Sequence, residues 1–381
     1  MKTQISERVH IGIFGNTNSG KSTLLNYMTQ TDTSIVSEIA GTTTDPIRKT
    51  MEITGFGPVL FIDTAGFMDK TDLGSIRHQK SREQIDKCDI FLYCLSEEMN
   101  TSLIDLLKSK NKPIIYLAMR DDLGYAKDLI EKYKALDPIS VNIKDTTDRD
   151  KIFERIKDVF KREELSLTKS LVKEGDSVLL VMPQDKAAPK GRLIKPQVTT
   201  IREIIDKNAS AICTNLENLD RTLANFKKID LVICDSQVFG PVYQKIGGQI
   251  PLTSFSVLFS AFKGDLDYFV ESAKVLDNNP KRILISEECT HPPIEEDIGR
   301  VKIPNLLKKK FPDLEIDFVR VDEKKNYEDY DLIISCGACM INRTAMLSKV
   351  ARAKDLNIPM TNYGITIAKL KGILDKIKLP E

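Results

Sequence analysis

The residues Gly15-Asn16-Thr17-Asn18-Ser19-Gly20-Lys21-Ser22 have the types and spacing of a phosphate cradle, Gly-x4-Gly-Lys-Ser. Glycine lets the backbone bend around phosphate oxygens, and the loop amides and the positive end of a following helix attract negative charge. Lys21 would bridge the terminal phosphates and Ser22 would give an oxygen to Mg2+. Gly15, Asn16, Asn18, Ser19, Gly20, Lys21, Ser22 and Thr23 make up the expected nucleotide-contacting stretch. It stands where the chemistry needs it, after an apolar strand, Val9 to Phe14, and opening a helical stretch, Lys21 to Thr29.

Two further segments follow in the order that a phosphate-loop GTPase requires: Gly41-Thr42-Thr43-Thr44-Asp45, then Asp63-Thr64-Ala65-Gly66 directly after the strand Val59 to Ile62. A threonine hydroxyl, Thr43 with Thr42 and Thr44 as alternatives, would complete the Mg2+ shell when the γ-phosphate of GTP is present. Asp63 would hold the ion through its water, and the Gly66 amide would sense the γ-phosphate, so that losing this group frees both loops. Lys21, Thr43, Asp63 and Gly66 are thus the expected catalytic set. Base selection departs from the usual pattern, because Met119-Arg120-Asp121-Asp122 follows the strand Ile114 to Ala118 where guanine-specific sites carry Asn-Lys-x-Asp. Asp122 keeps the carboxylate for the guanine amino protons. Met119 forfeits a polar contact worth about 1 kcal/mol, which softens discrimination against ATP. Ser140-Val141-Asn142, after a short strand, would offer a backbone amide to the guanine carbonyl.

Phe67 follows Gly66 and cannot orient an attacking water as glutamine does, so slow intrinsic hydrolysis is expected. Asn18 together with the Gly-Thr-Thr loop resembles the TrmE-like GTPases. That resemblance implies that Asn18 helps bind a K+ ion which stimulates hydrolysis.

A second constellation lies far downstream. Cys289-Thr290-His291 comes just after the strand Arg282 to Ser286, and Cys336-Gly337-Ala338-Cys339 just after the strand Asp331 to Ser335 and before a helix starting near Met340. Both fall at carboxyl ends of strands, the edge of an open parallel sheet where distant residues converge. Three thiolates there suit either a 4Fe-4S cluster with one iron left for another ligand or a zinc site closed by His291. Cys94, Cys213 and Cys234 sit inside apolar strand runs and Cys88 near a helix end; all four read as buried thiols.

Strand-like runs alternate with helical stretches along the whole chain, so the fold class is α/β, with three α/β domains. The expected domains are a GTPase domain over 1–163 with a mostly parallel sheet, a middle α/β domain over 170–258 and a cysteine-bearing domain over 259–381. Helices are expected near Ile76 to Lys87, Arg149 to Phe160, Val198 to Lys207 and Leu216 to Phe226, and the charged segment Lys161 to Gly175 reads as a linker. With 381 residues, 41% hydrophobic and 29% charged, the chain is no disordered protein. Its 56 basic against 55 acidic residues argue against nucleic acid as a partner. No apolar run approaches a membrane span and the first residues lack a signal core, so a cytoplasmic location with no membrane partner is expected.

The combination of Cys289-Thr290-His291-Pro292-Pro293, Asp297-Ile298-Gly299-Arg300-Val301-Lys302-Ile303-Pro304 and Cys336-Gly337-Ala338-Cys339-Met340 behind a TrmE-like GTPase resembles HydF, the family of FeFe-hydrogenase maturation GTPases. Ala188-Pro189-Lys190-Gly191-Arg192 extends the likeness to the middle of the chain. The resemblance implies a homodimer with a dimerisation domain and an iron-sulfur domain, acting as scaffold and carrier. A transient two-iron precursor bearing CO and CN, built with radical-SAM hydrogenase maturases, would be held and passed to the apo FeFe-hydrogenase. Cys289, Cys336 and Cys339 match the cluster ligands. Many members place a histidine just before the Cys-x-x-Cys, where this chain has Ser335, leaving the fourth iron to His291, water or a carboxylate such as Asp185. The competing expectations are an RNA-modification or ribosome-assembly GTPase with a zinc domain, and a zinc-stabilised regulatory switch.

Overall fold

The computed structural model describes residues 5–29, 37–39, 47–64, 83–119, 121, 124–161, 165–183, 193–287, 298–320, 325–337 and 341–381. They form two compact units, Met1–Glu163 and Glu164–Glu381. No helix among the described residues is long and apolar enough to cross a membrane.

The first unit is built on seven strands: β1 (Val9–Gly15), β2 (Ser37–Ile39), β3 (Ile47–Ile53), β4 (Gly57–Asp63), β5 (Ile90–Cys94), β6 (Ile114–Met119) and β7 (Ile139–Val141). Their order is β2-β3-β4-β1-β5-β6-β7. β1 pairs in parallel with both β4 and β5, whereas β3 runs antiparallel to β2 and β4. Every residue of β1 and β5 is buried, because both faces of a parallel sheet are covered. Two apolar clusters lie on those faces, one around Ile11, Ile13, Leu24 and Met28, the other around Phe14, Phe91 and Tyr93. Asn100 and Asp145 cap the helices Thr101–Lys108 and Thr146–Val159 by accepting from the Leu103 and Thr147 amides. Of the helix expected at Ile76 to Lys87, only its last residues fall among those described, and 83–85 are helical. Lys112 Nζ reaches the carbonyls of Ile85 and Asp86 at that end.

The second unit holds two fully parallel sheets. The first comprises β8 (Ser177–Val181), β9 (Ser210–Thr214), β10 (Leu231–Cys234) and β11 (Leu252–Ser254) in the order β11-β10-β8-β9. The other comprises β12 (Arg282–Glu287), β13 (Glu315–Arg320), β14 (Leu332–Ser335) and β15 (Met360–Asn362) in the order β13-β12-β14-β15. One apolar cluster takes Leu179 and Val232 from the first sheet and Leu284, Ile333 and Met360 from the second. The helix Phe255–Lys263 is apolar almost all round and therefore buried. Its Val257 and Ala261 join that shared cluster, while Phe255, Leu258 and Phe259 fill the far face of the first sheet. The boundary expected at 258/259 falls inside this helix.

Two expectations are corrected here. The segment Lys161 to Gly175 is not a bare linker: Leu167 and Thr168 are fully buried, and Lys169–Leu171 is a turn of 3-10 helix. The Glu203 carboxylate, on the helix Lys195–Asp206, accepts from Ser166 Oγ, the Leu167 and Thr168 amides and Thr168 Oγ1 at 2.6–2.8 Å. Cys213 is exposed, unlike the buried Cys88, Cys94 and Cys234, because β9 is the edge strand of its sheet.

Candidate functional site

The phosphate loop leaves β1 at the middle of its sheet, where the strand order switches direction and a crevice opens at the carboxyl edge. Gly15 and Gly20 have φ of 144° and 93°, and Asn18 joins them at 62°. A Cβ on Gly15 would stand 2.6 Å from Ser19 Oγ and 2.7 Å from the Cys94 carbonyl oxygen, so only glycine fits. Lys21, at the start of the helix Lys21–Thr29, is buried and donates to the Asn16 carbonyl at 2.6 Å. Burial lowers its pKa from the ordinary lysine value, against the pull of Cys94 and Asp63. Burial also pushes the Cys94 thiol up to about 12.

Ser22 Oγ donates to Asp63 Oδ2 at 2.6 Å, joining the helix start to the end of β4. Burial raises the Asp63 pKa, with the Ser22 hydrogen bond and the Lys21 charge opposing it. Asp63 Oδ1, Ser19 Oγ and Asn16 Oδ1 are buried with no hydrogen-bond partner among the described residues. Buried oxygens of this kind need a donor or a cation. Their position beside Lys21 and Ser22 fits a bound nucleotide phosphate with its Mg2+. Thr64 Oγ1 donates to the Ile13 carbonyl and ties the strand end to β1. Asn16 Nδ2, which sequence alone gave no distinct role, donates to Ser96 Oγ and the Glu98 carbonyl and anchors the loop after β5. Asn18 and Thr23 are exposed on the rim.

At the base side, Met119 is buried, and a Cβ on Gly20 would lie 3.4 Å from its Cγ. The side chain at the asparagine position thus packs on the phosphate loop through apolar contact. Ser140 and Val141 lie within β7 rather than after it, and Val141 is fully buried opposite Met119. The amide that emerges next, Asn142 N, donates to Asp148 Oδ2 at 2.9 Å. Thr43, Gly66 and Asp122 lie outside the described residues, as do Asp185, Cys289, His291 and Cys339.

Of the downstream constellation, Cys336 is described. It follows β14, is buried, and its amide donates to the Ser286 carbonyl at 2.9 Å, extending the ladder to β12. β12 ends at Glu287, two positions before Cys289 in the sequence, and its pairing with β14 sets that strand end beside Cys336. Among the described residues no three potential ligands cluster. The following helix, Arg343–Asp355, starts three residues later than expected, and its N-terminus is capped by Asn342, which accepts from the Ala345 amide.

Comparisons with known proteins match three segments of the chain. Family models described as the hydrogen maturase F dimerization domain and the hydrogen maturase F tetramerization domain match residues 167–264 and 267–379. A model described as a 50S ribosome-binding GTPase matches residues 10–120. The tRNA modification GTPase MnmE of Aquifex aeolicus is 33% identical over 156 residues, 40% of this chain and 34% of that protein. MnmE of Ehrlichia ruminantium is 37% identical over 112 residues, 28% of this chain and 25% of its own. The chain spans about a third of the length of the first of these curated relatives. Among solved structures, a variant of Aquifex aeolicus Era bound to GDP.AlF4- is 18% identical, covering 62% of this chain and 98% of its own, at a TM-score of 0.31 that carries no argument.

Proposed function

The chain belongs to the HydF family of hydrogen maturases, and from that premise we propose that it is a GTP-hydrolysing scaffold for FeFe-hydrogenase maturation. The observation that supports the reading is a phosphate loop and a cysteine-bearing strand end in one chain. One is a phosphate loop with Lys21, Ser22 and Asp63 beside buried oxygens that lack a partner among the described residues. The other is Cys336, held at a sheet edge beside the end of β12. In this reading residues 1–163 bind GTP and Mg2+, 170–258 carry oligomer contacts and 259–381 carry the metal group.

In the nucleotide site Lys21 would leave the Asn16 carbonyl for phosphate oxygens, and Ser22 would exchange its bond to Asp63 for Mg2+. Thr43 would complete the ion's shell, Gly66 would report the γ-phosphate, Asp122 would read the base, and Asn18 would help hold K+. In the second site Cys289, Cys336 and Cys339 would hold a 4Fe-4S cluster, with His291 or Asp185 as candidates for the fourth ligand. When bound, the cluster supplies an iron with an exchangeable position. The protein's part is to fix three thiolates and leave that position open. The cargo would be a two-iron precursor received from radical-SAM maturases and released to the apo-hydrogenase. Oligomerisation is supported by the family models' names and by the edge position of β9, which pairs on one side only among the described residues and whose backbone could pair with another copy.

Anaerobic reconstitution followed by absorption and EPR spectroscopy tests the proposal. Iron, sulfide and a reducible paramagnetic species are expected, together with GTP hydrolysis by the same chain. Stoichiometric colourless zinc would overturn the cluster. The tRNA modification named for the MnmE relatives belongs to proteins that this chain matches over its GTPase domain alone.

A further inference from the structure

β7 is three residues long and lies at the edge of its sheet, pairing only with β6 among the described residues, so the sheet alone gives little hold on the chain that leaves it. The loop after it is nevertheless held from two sides. Asp148, in the first turn of the helix Thr146–Val159, reaches back and accepts from the Asn142 amide at 2.9 Å. From the other side Tyr27, on the helix that opens at Lys21, donates its hydroxyl to the Asp145 carbonyl. Between these points the Asn142 side chain accepts from the Lys144 amide at 2.9 Å and the Asn142 carbonyl from the Asp145 amide at 3.0 Å.

Asp148 is buried, and a buried carboxylate costs free energy unless its oxygens are partnered. Oδ1 meets the exposed Lys151 ammonium at 2.7 Å, and Oδ2 meets the Asn142 amide. Capping the helix does not account for it, because Asp145 already fills that role by accepting from the Thr147 amide at 2.9 Å. What the Asp148 carboxylate fixes is the backbone where β7 ends. That strand end stands on the base side of the nucleotide site: Val141 is buried opposite Met119, which lies beside Gly20 of the phosphate loop. The Asn142 amide, engaged by Asp148, thus serves the loop's shape rather than the base.

We propose that Asp148 is a positioning residue for base recognition, its bond to the Asn142 amide setting the backbone at the end of β7 that would face the 6-oxo oxygen of guanine. The proposal rests on the reading of Ser140-Val141-Asn142 as the base loop, and its test separates the two. The probes are GDP and 6-thio-GDP, which keeps the N–H donors of guanine but offers sulfur, a weak acceptor, in place of the 6-oxo oxygen. Competitive titration against a fluorescent nucleotide, on the full-length chain with Mg2+, gives both affinities. The wild type should prefer GDP. Asp148→Ala should weaken GDP by about fivefold, the scale of one lost hydrogen bond, and 6-thio-GDP far less, so that the preference shrinks. Asp148→Asn, which keeps an acceptor oxygen for the Asn142 amide, should restore it. Should Asp148→Ala melt early, Asp148→Ser, polar but too short to reach Asn142, takes its place and should show the same narrowing. An unchanged preference, or an equal weakening of both nucleotides as a merely structural residue would give, overturns the positioning role alone. A wild type that binds the two nucleotides alike overturns the base-loop reading and this proposal with it, while the phosphate loop that binds both is untouched.

Discussion

Ser22 Oγ and Asp63 Oδ2, 41 positions apart in the chain, meet at 2.6 Å while the other Asp63 oxygen stays buried without a partner among the described residues. In the proposed reading this pair would hold Mg2+. Ser22→Ala and Asp63→Asn should each lower GTP hydrolysis by about 100-fold or more, the scale for losing one stabiliser of transition-state charge. Single-turnover hydrolysis against Mg2+ concentration checks this. Retained Mg2+ dependence in both variants would remove the pair from catalysis.

Asn18 holds a left-handed backbone, φ 62°, on the exposed rim of the phosphate loop. If its side chain helps hold a monovalent ion, wild-type hydrolysis runs faster in K+ than in Na+, and Asn18→Ala erases the difference while leaving the Na+ rate unchanged. Equal wild-type rates in the two salts would rule out that role.

Met119 is buried near Gly20, where an added Cβ would stand 3.4 Å from its Cγ, at the position from which a polar side chain would reach the base. Met119→Asn should tighten GTP relative to ATP by about fivefold, the equivalent of one recovered hydrogen bond near 1 kcal/mol. Competitive titration with a fluorescent nucleotide gives the ratio. A ratio that does not move means that the base loop does not use this position.

Cys336 and the phosphate loop lie in different compact units. Cys289→Ser, Cys336→Ser or Cys339→Ser should each abolish cluster assembly while hydrolysis stays near the wild-type rate. Iron analysis and phosphate release on the same preparations decide the matter, and joint loss would contradict the modular reading.

Glu203 gives a pH prediction. Burial alone would raise its pKa, but hydrogen bonds from Thr168, Leu167 and Ser166 outweigh burial and hold it below the ordinary value of 4.5. An acid depressed in the folded state stabilises fully above its unfolded value, and that contribution is lost as pH falls through the folded value. Melting temperature should therefore drop below about pH 4.5. Glu203→Gln should cost about 1 kcal/mol at neutral pH, given a partly buried site, and should flatten the acid limb. A pH-scanned thermal melt reads both effects.

Much of this architecture is legible in the sequence wherever one rule dominates. Runs such as Ile90 to Leu95 are apolar throughout because central parallel strands are covered on both faces, and the phosphate loop is specified by local residue types alone. Ile47–Ile53 escapes this reading because it runs antiparallel beside an edge strand, with Arg48, Lys49 and Glu52 interrupting its apolar positions. Cys213 has an apolar neighbourhood in sequence but an edge position in space, and pairing order is not written locally. The buried Leu167 and Thr168 were masked by charged neighbours, since their partner Glu203 lies over thirty residues away. At the nucleotide site the loop and Asp63 were readable from motif order. The Asn16 anchor was not, because its partners Ser96 and Glu98 belong to no motif.

Val257 and Ala261 pack with side chains from both sheets of the second unit, and Phe255 and Leu258, on the same helix, serve the first sheet's outer face. No cut near that helix yields two halves that each keep their interior. Heating should melt residues 164–381 in a single endotherm, and strain imposed at the β9 edge would be shared with the ground on which Cys336 stands. Coupling between assembly and metal would then need no dedicated relay, since both rest on one thermodynamic body.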